Sequence, residues 1–134
     1  MSTQTSVITD WGTRDEDLPD IPPGGEYERV IAPQKFVVLR RIIARGPSLV
    51  RLRIGDVADV PFELESVDGD VRRYRPKDLD QEPIQKQLVK VGAAAAGPNA
   101  IAIAPGLEVW IQLRNEGDAP VKPRAALLVQ EESS

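Results

Sequence analysis

A chain of 134 residues, 41% hydrophobic and 28% charged, has the size and composition of one globular domain; wholesale disorder is excluded, and no apolar run is long enough to cross a bilayer. It contains neither cysteine nor histidine, which excludes disulfides, thiolate and Ser-His-Asp catalysis, Cys- or His-ligated metals and a histidine general base. The net charge of −4 is unevenly spread: Asp10, Asp15, Glu16, Asp17, Asp20, Glu26 and Glu28 against Arg14 give residues 1–28 a charge of −6, which leaves +2 for residues 29–134.

Residues 1–25 read as an extended acidic arm. Pro19, Pro22, Pro23, Gly24 and Gly25 oppose regular helix, and the acids oppose a buried strand. Val7, Ile8 and Trp11 form its one apolar cluster, which suggests an anchor that lets the arm reach beyond its own domain. The start Met1-Ser2-Thr3-Gln4-Thr5 has no signal-peptide pattern, so synthesis in the cytoplasm is the expectation.

Residues 26–134 read as the domain proper. Tyr27 to Ile31 is a short strand, and Lys35 to Arg45 is a long one with apolar residues on both faces, as in a central strand. Leu49 to Gly55 alternates, with Val50, Leu52 and Ile54 opposite Arg51 and Arg53. Val60 to Glu65 and Val71 to Arg75 flank Asp68-Gly69-Asp70, a hairpin signal. Pro76 to Pro83 reads as a loop and Ile84 to Val91 as a strand. Ala93 to Ala96 reads as a connection passing close to another backbone, and Ala100 to Ala104 as a strand of small residues.

The last stretch has the clearest pattern. Leu107, Val109, Ile111 and Leu113 alternate with Glu108, Trp110, Gln112 and Arg114. After Asn115-Glu116-Gly117-Asp118 a second run places Val121, Ala125, Leu127 and Val129 on one face, so the pattern predicts a hairpin. Many short strands with regular turns predict an all-β fold, an antiparallel β-sandwich of jelly-roll or related Greek-key topology, with an Ig-like sandwich as the alternative.

Several clusters have a chemical reading beside a plain one. Asp56…Asp59, Asp68…Asp70 and Asp78…Asp80 are oxygen-rich, but they lack EF-hand spacing and suit tight turns, so no metal or other cofactor is expected. Glu63 and Glu65 share a strand, yet six aromatics in all leave little to stack sugar rings, so catalysis is not expected. Arg72-Arg73-Tyr74-Arg75 suits phosphate and base contacts, but acids just upstream would form a cross-strand charge ladder with it. No nucleic-acid or membrane partner is therefore expected, and the same arginines could instead receive a neighbour's acidic arm. Trp110 points away from the apolar face of its strand, as interface anchors do. The small residues Ala102 and Ala104 offer a close-approach surface, and with Trp110 as anchor they suggest self-association.

The run from Ile103 through Pro105-Gly106 and Trp110 to Asn115-Glu116-Gly117, with the extended polar arm, resembles the late strands of small jelly-roll decoration (cement) proteins of bacteriophage capsids. The resemblance covers about the last third of the chain and implies a non-enzymatic virion structural protein. Such a protein would be a trimer on the capsid exterior, made in the host cytoplasm, that stabilises the shell of major capsid protein. A ligand- or carbohydrate-binding β-sandwich module is the alternative.

Overall fold

A computed structural model describes residues 3–9 and 17–133 of the chain. Ten strands and one helix follow in order: β1 (Thr3–Thr9), β2 (Glu26–Ile31), β3 (Val37–Arg45), β4 (Ser48–Ile54), β5 (Phe62–Asp68), β6 (Val71–Pro76), α1 (Glu82–Lys90), β7 (Ala93–Ala95), β8 (Ile101–Ile103), β9 (Val109–Arg114) and β10 (Arg124–Ser133). The predominance of antiparallel strands agrees with the all-β expectation.

The strands form two sheets. One has three strands in the order β2-β9-β4; the other has seven, running β1-β10-β3-β6-β5 with β8 beside β3 and β7 beside β8. Alternation explains why they bury one face each. In β9, Val109, Ile111 and Leu113 are fully buried while Trp110 and Gln112 are half-buried. Leu52 and Ile54 of β4 join them in a single core with Leu39, Ile42, Leu127 and Val129 of the larger sheet. Leu88 of α1, Leu79 and Ile21 complete it. Each such side chain withdrawn from water contributes roughly 1.5–3 kcal/mol.

β3 is the central strand that its two apolar faces predict, pairing with β10 on one side and with β6 and β8 on the other. Its pattern changes parity in the middle. Leu128 pairs with Arg41 and Val129 with Leu39, so Arg40 is an extra residue, a β-bulge. Val37 and Leu39 therefore reach the core before the bulge, and Ile42 and Ala44 after it.

Four sequence expectations are corrected. The two last strands are not a hairpin: β9 pairs with β2 and β4, whereas β10 pairs with β1 and β3. The nine residues between them carry the chain from one sheet to the other, held at the start by buried Asn115. Residues 84–91 are mostly helix rather than strand, with Pro83 in the first turn, where a missing N–H costs nothing. The alanines 93–95 form a strand against β8 instead of a bare connection. The arm, finally, lies on its own domain where it is described. β1 is an edge strand paired with β10 through Val7↔Val129 and Ile8↔Leu128, and Ile21 is 2% exposed and bridges to Val121.

The hairpin read from Asp-Gly is present. Asp68 pairs with Val71, and Gly69 takes a φ of 65° that only glycine adopts freely.

Candidate functional site

The outer face of the three-stranded sheet gathers the side chains that alternation turns away from the core. Pairing sets them in rows across the strands: Glu26, Arg114 and Ser48; then Glu28, Gln112 and Arg51; then Val30, Trp110 and Arg53. In the last row the Arg53 guanidinium carbon sits 4.1 Å from the centre of the Trp110 ring. Such a cation–π contact is worth about 0.5–2 kcal/mol, more as water is removed. Arg53 Nε is buried and has no hydrogen-bond partner among the described residues. Val30, beside the ring on β2, is 39% exposed.

Charged pairs border this row. Arg114 donates from Nε and Nη2 to Glu26 Oε2 at 2.9 and 2.6 Å, and Gln112 Nε2 donates to Glu26 Oε1. The hydrogen bond from Arg114 holds the Glu26 carboxyl below its ordinary pKa and raises that of Arg114 in return. Arg51 Nε donates to Asp59 Oδ1 at 2.9 Å, with the same consequences for that pair. Asp59 reaches it from a backbone with φ of 58°. Glu28 has no ion pair among the described residues.

Glu28, Arg51, Arg53, Ala58, Trp110 and Gln112 enclose a notch of about 70 Å³. That is far below the roughly 300 Å³ at which small-molecule pockets begin. Two larger concavities, of about 270 and 360 Å³, lie against α1; neither is lined by an aromatic side chain. What the outer face offers is an aromatic and a guanidinium in its last row, bordered by charged pairs. That arrangement suits a protein surface better than a small ligand.

The residues singled out in the sequence do not share one place. Val7 and Ile8 lie in β1, and Trp11 lies outside the described residues. Ala102 lies in β8 of the seven-stranded sheet, opposite Val38 and Ala94, and Ala104 follows that strand, whereas Trp110 lies in the three-stranded sheet. Arg72, Arg73, Tyr74 and Arg75 all lie in β6. Tyr74 is in the core: it is 5% exposed, its hydroxyl accepts the N–H of Leu49 at 3.1 Å, and its ring meets Phe62 edge-on. It has no free face for a base. The arginines form the cross-strand ladder, Arg75 with Glu63 at 2.7 Å and with Glu65 at 3.4 Å, and Arg41 with Glu65 at 2.6 Å. Arg72 donates to the Gly46 carbonyl.

Sequence reading found Trp110 but missed Arg53, Val30 and Glu28 as its neighbours. Arg51 and Arg53 were visible as the polar face of β4. Nothing in the alternation says that β4 lies beside β9.

No protein-family model, no curated protein and no solved structure matches the chain, so the chemistry of this face is the guide to what it does.

Proposed function

We propose that the chain is a non-enzymatic assembly protein: a capsid decoration protein that binds and stabilises a shell of major capsid protein and associates with its own copies. The observation that carries this reading is the Trp110–Arg53 row on the outer face of the three-stranded sheet. Tryptophan and arginine are among the residues in which the energetic centres of protein interfaces are enriched, and here they stand beside charged pairs. The capsid setting comes from the resemblance of residues 103–117 and the polar N-terminal stretch to decoration proteins. Two sheets between which the chain passes at most connections are consistent with a β-sandwich of jelly-roll or related Greek-key type.

A carboxylate-dependent enzyme is disfavoured by the state of its best candidates. Glu63 and Glu65 are both held by arginines on an exposed strand, which suits a structural ladder rather than proton transfer. The test is co-sedimentation of the full chain with empty shells of the major capsid protein encoded in the same genome, together with the shells' melting temperature. Saturable binding and a higher melting temperature are expected. Shells that neither bind the chain nor gain stability would overturn the reading.

A further inference from the structure

The charges on the outer face of the three-stranded sheet are segregated by strand. β2 contributes the acids Glu26 and Glu28, and β4 contributes the bases Arg51 and Arg53, with β9 between them. Glu26 is matched within the chain by Arg114. Glu28 and Arg53 have no ion pair within contact distance among the described residues; Glu28 acts on Arg51 of its own row only at longer range, and Arg51 meets Asp59 through Nε alone. The face therefore runs from an acid with no contacting partner at one edge to arginines with donors to spare at the other.

A surface patterned this way is complementary to itself under one particular rotation. Two copies placed face to face by a two-fold axis have that axis in the plane of contact. If the axis ran across the strands, β2 would lie over β2 and Glu28 would face Glu28. If it runs along β9, β2 of one copy lies over β4 of the other. Glu28 then faces Arg51 twice, because both lie in the row of Gln112, and Val30 faces Arg53 in the row of Trp110. Trp110 lies on the axis against its own counterpart. The strands of the two copies stay roughly aligned, which is how sheets prefer to pack.

We infer that this face binds a second copy of the chain about a two-fold axis parallel to β9, with Glu28 of each copy paired to Arg51 of the other. The inference rests on the assembly reading above and names the partner of its site. It makes the contact two-fold, in place of the trimer that the capsid resemblance implies.

The geometry makes a prediction that few other contacts share. Glu28→Arg alone sets arginine against arginine at both positions, and Arg51→Glu alone sets glutamate against glutamate. Each variant is expected to lose self-association by more than about tenfold. Mixed together, the two variants carry opposite charges at every contact and are expected to form a mixed dimer. Because Arg51 also holds Asp59, the same pair is repeated in chains carrying Asp59→Asn, which removes that intrachain repulsion.

Sedimentation equilibrium of each variant and of the mixture, with one partner labelled, reads the result. Recovery in the mixture alone supports the two-fold face. Parent protein that sediments as a monomer or a trimer, single variants that associate as the parent does, or a mixture that fails to recover would each overturn it. Shell binding by the parent is measured separately, so loss of this contact and loss of the assembly function are distinguishable.

Discussion

The side-chain amide of Asn115 donates to the carbonyl of Ile21 at 2.8 Å, ninety-four positions earlier in the chain. The same nitrogen donates to the Ala119 carbonyl at 2.8 Å, and Oδ1 accepts the Gly117 N–H at 2.9 Å. Its backbone joins in, with Gly24 donating to the Asn115 carbonyl and Asn115 to the Gly25 carbonyl. One side chain, 1% exposed, thus shapes the crossing between sheets and fastens the segment before β2. Asn115→Ala is expected to cost on the order of 1–3 kcal/mol, because the Ala119 carbonyl and the Gly117 N–H lose their side-chain partner and the Ile21 carbonyl keeps only the Val121 N–H. Urea denaturation measures this. A midpoint unchanged by the substitution would show that the crossing holds without it.

Tyr74→Phe isolates one buried hydrogen bond. The ring and its edge-on contact with Phe62 remain, but the N–H of Leu49 loses its acceptor. The expected loss of stability is about 1–3 kcal/mol. A variant as stable as the parent in urea would mean that Leu49 finds another acceptor.

Trp110→Ala should leave the domain folded, since the ring lies on the outer face and is only half-buried. Self-association is expected to weaken by about 2 kcal/mol, roughly thirtyfold, as for the central residue of an interface. Sedimentation equilibrium reads this directly. An unaltered association constant would move the interface elsewhere on the molecule.

Acid should weaken the outer face. The hydrogen bond from Arg114 depresses the pKa of Glu26 in the folded chain, and that from Arg51 depresses the pKa of Asp59. A carboxyl whose folded pKa lies below its unfolded one favours folding above the unfolded value, and the benefit disappears as pH falls through the folded value. Glu26→Gln is therefore expected to be less stable than the parent at neutral pH and to converge with it in acid below the ordinary carboxylate range. Urea midpoints of the two proteins across that range test this. A difference that does not narrow in acid would assign the effect to the Gln112 contact rather than to charge.

How far the sequence speaks for the structure depends on the range of the signal. Asp68-Gly69 declares its hairpin because the turn residues and the two strands are adjacent. β9 declares its buried face because alternation is local. Its partners are not local. The pattern after Asn115 suits a return along the same sheet as well as a passage to the other, and Pro120 and Pro123 in the crossing were the neglected sign against a tight hairpin. Residues 84–91 misled because Ile84, Val89 and Val91 favour strands. The helix signals lay in Glu82 and Pro83 at the start, Lys86 four residues after Glu82, and Gly92 beyond the end. The candidate face needs three strands brought side by side, so only its central residue was legible.

The extra residue in β3 has a consequence for how this fold tolerates changes in chain length. Arg40 and Arg41 both turn outward, to Gln130 and Glu65 respectively. Removing Arg40 would sacrifice the bond to Gln130 and straighten the strand, yet Leu39 and Ile42 would still alternate correctly around Arg41. A deletion in the strand outside the Arg40-Arg41 pair would instead turn part of it inside out. The centre of the larger sheet thus contains one position where the chain can lose a residue and keep its reading frame of inward side chains. Relatives one residue shorter at this point would be expected to share the fold.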